Sequence, residues 1–390
     1  MSQPPAETPT PCPAPRERDT WYYPPELADD LKDIPLPPKT NTNWERYLAF
    51  TRLAIISILC ELDGKTVDLV ATGSDNVLGY SISNLLATLF QGIPTETRKG
   101  LERDYRCGLL FAAEKTSHRR NGELFRRYAN SLAQSPKQWF RMRASDSLMR
   151  LAIMTALVCN DALDVCFSKE QLDILCEITM TMYDSVAFYK HRSEGEVCNT
   201  FAYMPENMRV KAFRQCREVL WAFDAAWAHQ PSLLLVINVV RIYGSSVHML
   251  MRRYRFVEEN LTIGTPETEE IVSQTRANVK LWYHIDASRM KDVSEESIQR
   301  YKDVLNRSEE LLFPGLATIL ETADDRRCET CLYPNSYGTE TPIHCFGGVQ
   351  LCDKCKEEWR DFLESFPDRA AKAFPELVGI YNKGITSKRS

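Results

Sequence analysis

Four cysteines near the C-terminal end have the sharpest spacing in the chain: Cys328-x2-Cys331, twenty residues, then Cys352-x2-Cys355. Two such hooks each offer two thiolates to one tetrahedral ion, at about 2.3 Å per bond. A ligand set of four cysteines leaves no open coordination position. The spacing therefore predicts a structural Zn2+ and no catalysis at that ion. His344 and Cys345 lie between the hooks as spare ligands, and four unmetallated thiols are the plain alternative.

Charged groups of a second kind gather elsewhere. "AFYKHRSEGEVCNTFAYMPE" brings Lys190, His191 and Arg192 next to Glu194, Glu196 and Asn199, and "MRRYRFVEEN" brings Arg252, Arg253, Tyr254 and Arg255 next to Glu258 and Glu259. Basic groups of this type grip phosphate oxygens, while carboxylates hold a bridging metal such as Mg2+. The competing reading is a salt-bridged helix end whose cations complement the helix dipole. Between Glu114 and Arg150 nine Lys/Arg stand against three acids, a focused positive stretch that includes Glu114 and Glu123. Asp161 and Asp164 share a helix face in "VCNDALDV" and echo an aspartate-rich metal motif with one aspartate missing.

These groups need elements to place them. Apolar residues at spacings of three and four predict helices near 44–62, 76–91, 96–119, 122–134, 144–165, 169–192, 205–229, 231–260, 267–285 and 294–313. Ser168–Gln171 fits a capping box, and Pro205, Pro231 and Pro266 suit helix starts. Strand-like alternation is absent, so the expected body is all-α: a bundle of about ten helices enclosing an apolar cavity, with a small C-terminal four-cysteine zinc-knuckle module. The expected organisation is a disordered Pro-rich tail over 1–20, a helical domain over 21–320 and a zinc-binding module over 321–390.

Short connections make successive helices antiparallel. If 144–165 runs up, then residues 190–200, 252–259 and the entry "KQWFRMR" (Lys137–Arg143) share one end of the bundle. Asp161 and Asp164 fall at the other, some 25–30 Å away at about 1.5 Å per residue. Glu194, Glu196, Glu258 and Glu259 thus become the favoured Mg2+ ligands, with Glu114 and Glu123 behind them. The expected body has a charged mouth near the aromatic residues Phe188, Tyr189, Phe201, Tyr203, Trp221, Phe223 and Tyr254, whose ring faces can stabilise a carbocation.

Bulk properties narrow the class. With 44% hydrophobic and 26% charged residues and a net charge of −5, the 390-residue chain reads as globular, with no general affinity for nucleic acid or anionic membranes. No apolar run approaches the roughly 18–20 residues of a spanning helix. The N-terminal stretch lacks an apolar signal core, and nine of the thirteen cysteines are scattered singly, so a reducing cytoplasm is expected. Oligomeric state is not legible.

The blocks "WYYPPELADDLKDIPLPP", "GELFRRYANSLAQSPKQWFRMR", "AFYKHRSEGE", "FAYMPENMRVKAFRQCREVLWAFDAAW" and "MRRYRFVEENLTIG" resemble the fungal α-ionylideneethane synthases of abscisic acid biosynthesis. The resemblance runs from about Trp21 to the C-terminal tail. It implies a non-classical sesquiterpene synthase, a carbon–oxygen lyase that takes farnesyl diphosphate to an ionylideneethane hydrocarbon with Mg2+. It supplies no standard metal motif, so the ligands rest on charge and helix order. On that basis Lys190, Arg192, Arg252, Arg253 and Arg255 are the diphosphate candidates, and His191, Tyr189 and Tyr254 the general acid/base candidates. The reading from a different class is a non-catalytic helical adaptor whose zinc module docks a protein partner.

Overall fold

The computed structural model describes residues 42–70, 75–193, 195–205, 207–243, 294–335, 337 and 345–380, with backbone only at 189, 190 and 193. Residues 1–41, which include the expected Pro-rich tail, lie outside the described residues. So do the predicted helix over 267–285 and the predicted start at Pro266.

The described body is helical, as its periodicity predicts. Helix α1 (Trp44–Leu62) starts where the Asn43 side chain accepts from the Arg46 N–H, and it buries Ala49, Leu53, Ile56 and Cys60 at helical spacing. Helix α2 (Ile82–Leu89) packs against it. In front of α2 the expectation of no strands fails locally. Asn76–Val77 pairs with Tyr80–Ser81 as a two-residue hairpin, β1 and β2, turning through Leu78 and Gly79, both at positive φ. Asp75 pins this hairpin to α2 by accepting from Ser81 Oγ at 2.8 Å and the Ser83 N–H at 2.6 Å. The apolar residues of the hairpin fall in helical phase with those of α2, which is why periodicity merged them.

Helix α3 (Thr95–Lys115) runs from an exposed first half into a second half that is buried from Asp104 to Lys115. Helix α4 (Glu123–Leu132) follows a 3-10 turn over His118–Asn121. Then comes a correction to the single helix expected over 144–165. The chain forms α5 (Pro136–Asp146), breaks at Ser147–Leu148, and resumes as α6 (Met149–Val158). Leu148 sits at φ 56°, in the left-handed region. The corner rests on α3 at Gly108, where a Cβ would lie 2.6 Å from Leu148 Cδ2 and 2.7 Å from the Ser145 carbonyl. A close tertiary approach, invisible to local propensity, ends the helix there.

All of α6 is buried, including Arg150, whose guanidinium pairs with Asp173. Helix α7 (Lys169–Val186) opens with the expected capping box between Ser168 and Gln171. After one residue the chain enters α8 (Phe188–Ser193), a loop, and α9 (Met208–Ala226) and α10 (Pro231–Arg241). The pairs α7 with α9, α6 with α10, α3 with α5 and α5 with α7 form the packed centre. Helices α11 (Glu295–Asn306), α12 (Ser308–Leu311) and α13 (Leu316–Glu321) close over α3 and α4. Beyond the first cysteine hook, α14 (Asp353–Glu364) and α15 (Phe366–Ala373) lie on α5, α7 and α9. Of the singly placed cysteines, Cys60, Cys107, Cys159, Cys176, Cys198 and Cys216 are buried free thiols that fill the core. No helix among the described residues is long and apolar enough to cross a membrane.

Candidate active site

Of the charges expected at the mouth, Arg143, His191 and Glu196 are buried, and they meet other buried charges. Lys115 ends α3 with its side chain buried, and its Nζ stands 3.5 Å from Asp146 Oδ1 and 3.5 Å from Glu61 Oε1. Arg143, one turn before the end of α5, pairs with Asp146 through Nη1 and donates from Nη2 to Asp184 Oδ1 on α7 at 2.9 Å. Asp184 is 0% exposed. Its second oxygen accepts from the Thr200 N–H at 2.7 Å and the Thr200 hydroxyl at 2.8 Å. Arg143 Nε has no hydrogen-bond partner among the described residues.

The loop from Gly195 to Tyr203 supplies the other wall. Glu196, also buried, accepts from the N–H groups of Val197 and Cys198 through Oε1, at 2.9 and 3.1 Å. Burial alone would raise its pKa. The fields of Lys115, Arg120 and Arg143, with the Cys198 N–H, outweigh that and bring it down to about 2. Lys115 is driven the other way: Asp146, Glu61 and Glu196 overcome its desolvation and hold it well above the usual ammonium value. Arg120 donates from Nε to the Tyr337 carbonyl at 2.7 Å. Asn199 Nδ2 reaches both the Asp184 carbonyl at 3.2 Å and His191 Nδ1 at 2.9 Å. With the amide donating, His191 accepts at Nδ1 and a neutral ring carries its proton on Nε2. The His191 ring lies 5.8 Å from Tyr183, itself 5.7 Å beneath the Arg143 guanidinium.

Three cations (Lys115, Arg120, Arg143) thus face three carboxylates (Asp146, Asp184, Glu196) where water is scarce. In such surroundings charge interactions are strong, and an isolated charge could not persist. The arrangement is balanced in charge as it stands, with His191 as its titratable neighbour.

Of the residues singled out by sequence, the structure brings His191 and Glu196 into this cluster, together with Arg143 of the "KQWFRMR" entry. Arg192 is half-buried with its guanidinium 5.0 Å from the Phe188 ring centre. Glu114 and Glu123 sit in arginine networks of their own: Glu114 with Arg119 and Arg300 at 3.1 and 2.8 Å, Glu123 with Arg126 and Arg127 at 2.7 and 2.6 Å. Asp161 is an exposed carboxylate, 3.3 Å from Arg46 and hydrogen-bonded to Asn43. Phe188, Phe201, Tyr203 and Phe223 are core residues, whereas Trp221 is exposed. The side chains of Tyr189 and Lys190, and all of Glu194, Arg252, Arg253, Tyr254, Arg255, Glu258 and Glu259, lie outside the described residues. Sequence reasoning missed Asp184, Asp146 and Lys115 as site groups. Asp184 had left a signal, since it is the lone acid in the apolar run "ITMTMYDSVAFY".

The cluster's carboxylates do not form a metal cage. Asp146 is taken by Lys115 and Arg143, Asp184 by Arg143 and Thr200, and Glu196 Oε1 by two backbone amides. The four cysteines, by contrast, fit an ion. Their sulfurs all lie within 4.8 Å of one another, with Cys328 and Cys352 at 3.9 Å. Thiolates on one tetrahedral Zn2+ sit roughly 3.8 Å apart. A separate open cleft of about 460 Å3, lined by Asp164, Phe167, Trp227, Leu233 and Phe374 among others, does not include the cluster.

A family model described as alpha-ionylideneethane synthase aba3 matches residues 19–376. The chain is 52% identical to alpha-ionylideneethane synthase aba3 of Botryotinia fuckeliana (strain B05.10), over 92% of its length and 84% of the relative's. It is 52% identical to alpha-ionylideneethane synthase abl3 of Leptosphaeria maculans, over 93% and 87%. With abl3 of Pyricularia oryzae (strain Y34) the identity is 41%, over 93% and 84%.

Proposed function

This chain belongs to the α-ionylideneethane synthase family, and from that premise we propose that it is a sesquiterpene synthase, a lyase that takes farnesyl diphosphate to an α-ionylideneethane-type hydrocarbon with loss of diphosphate. The observation that carries the reading is 52% identity to synthases of that name over nearly the whole chain. The buried cluster supports it chemically, whereas the adaptor reading has the exposed apolar residues of α1, such as Trp44, Ile55 and Ile58, on its side.

Departure of diphosphate from an allylic carbon builds negative charge on the leaving oxygens. Fixed donors in a water-poor site stabilise that charge without reorganising. In this reading Arg143 and Lys115 serve that purpose, and Asp146 and Asp184 hold them in place. His191 is the described acid/base candidate, and Tyr189 and Tyr254 are kept as further candidates. Lys190, Arg192, Arg252, Arg253 and Arg255 remain proposed diphosphate contacts.

A divalent ion such as Mg2+ would supply further neutralisation of the diphosphate. We assign it to Glu194, Glu258 and Glu259 foremost, none of which is among the described residues. Zn2+ belongs, in the same proposal, to Cys328, Cys331, Cys352 and Cys355 as a structural ion. The buried free thiols support a reducing, cytoplasmic setting.

The test is incubation of the purified chain with farnesyl diphosphate and divalent metals, with hydrocarbons read by GC–MS and diphosphate release followed in parallel. We expect an ionylideneethane and its loss with a chelator. No hydrocarbon and no diphosphate release under any divalent metal would overturn the reading.

A further inference from the structure

The two cysteine hooks are tied to each other and to the active-site loop. Leu332 and Gln350 exchange backbone hydrogen bonds of 2.9 Å in both directions, which brings the hooks together. The Cys352 N–H donates to Cys331 Sγ at 3.3 Å, and Cys352 caps α14. Immediately before the second hook, Gly347 lies so close to the site loop that a Cβ there would stand 2.3 Å from the Gly195 carbonyl and 3.1 Å from Val197 Cγ1. Gly348, at φ +94°, approaches Tyr203 in the same way, with 3.2 Å from its would-be Cβ to the hydroxyl. That hydroxyl donates to the Val197 carbonyl at 3.0 Å.

The contacts continue on both sides. The Phe346 ring meets Phe188 edge-on at 5.2 Å. From α14 the fully buried Trp359 packs against Tyr203 at 5.0 Å and Trp139 at 5.9 Å, and the Trp139 N–H donates to Thr200 Oγ1 at 3.3 Å. Between the hooks, the Tyr337 carbonyl holds Arg120. The knuckle thus grips the loop of Glu196, Asn199 and Thr200 from one side and a cluster cation from the other.

We propose that Zn2+ held by Cys328, Cys331, Cys352 and Cys355 is a positioning device for the buried charged site, fixing the 195–203 loop against α7. This rests on reading that cluster as the active site. Closing the hooks around the ion sets the place of Gly347–Gly348 and of the α14 start. Those in turn set the loop whose Thr200 N–H and hydroxyl hold Asp184. Metal binding and local order are one free energy in a site of this kind.

The experiment uses the full chain and reads order rather than turnover. Metal analysis should give about one Zn per chain, and exchange for Co2+ should give the absorption bands of tetrahedral thiolate cobalt. Amide hydrogen exchange is then compared before and after zinc removal by a chelator, and again after Zn2+ is restored. Amides at 196–203 should exchange about tenfold faster without metal and recover with it, while α6 amides stay protected. Tyr203→Phe, which keeps the four thiolates, should show the same loosening at 196–200 with zinc retained. Unchanged protection at 196–203 after metal loss, equal loss of protection in α6, or no bound metal would each overturn the proposal. Absence of turnover on farnesyl diphosphate would sink the functional reading and leave these exchange results standing.

Discussion

Thr200 is bound twice to one oxygen of Asp184, by its backbone N–H at 2.7 Å and its hydroxyl at 2.8 Å, while Arg143 holds the other oxygen. This joint ties α5, α7 and the loop after α8 at a point with no access to solvent. So deep in the core, a carboxylate left without partners would be costly, and each of its oxygens has one.

Asp184→Asn keeps the shape and removes the charge against which Arg143 is buried. Breaking a buried pair costs about 3–5 kcal/mol, so urea unfolding should show a loss of that order. Diphosphate release should fall about a hundredfold or more, as when a fixed charge-stabilising group is lost. Near-normal stability and turnover would remove Asp184 from both roles.

Glu196 makes stability depend on acid. Its pKa is lowered from the ordinary 4.5 to about 2 in the folded chain, so it is a depressed carboxylate. Its contribution is fully present above about pH 4.5 and is lost as pH falls through the folded value near 2. Glu196→Gln should therefore flatten the fall in unfolding free energy between about pH 5 and 2, measured by denaturant titration at each pH. An unchanged slope would show that other carboxylates carry it.

Gly108→Ala should destabilise by about 1–3 kcal/mol, because the added methyl meets both Leu148 and the Ser145 carbonyl. Leu148→Gly removes one of those neighbours and relieves the left-handed residue. The double variant should recover part of the loss, and a double-mutant cycle on thermal melts checks this.

Asp161→Asn should cost no more than about 1 kcal/mol, since its pair with Arg46 is exposed on the aspartate side. Hydrocarbon yield should be unchanged. A collapse in yield would restore the aspartate pair as a metal motif.

How much of this was legible in the sequence depends on how local each cause is. Helix α1 was read at its observed bounds, Trp44–Leu62, because the Asn43 cap and the apolar stripe lie within the segment itself. The Ser168 capping box and the cysteine hooks are likewise local. The α5–α6 break was missed because its cause, Gly108, is about forty residues away in the chain. The cluster was half-read for the same reason. A charged residue in helical phase reads as a solvated face until its partner is known. Besides Asp146 on its own helix, Arg143 is partnered from α7, and Lys115 from α5 and α1. His191 and Glu196 surfaced only because they fell in a dense polar loop.

The corner at Leu148 fixes the rotational phase of α5. Its last turn is seated on Gly108, and Arg143 and Asp146 point into the cluster from that turn. Each residue of a helix advances the next by about 100°. Losing or gaining one residue between Arg143 and Asp146 would therefore swing one of the two away from its partner and leave a charge stranded in the core.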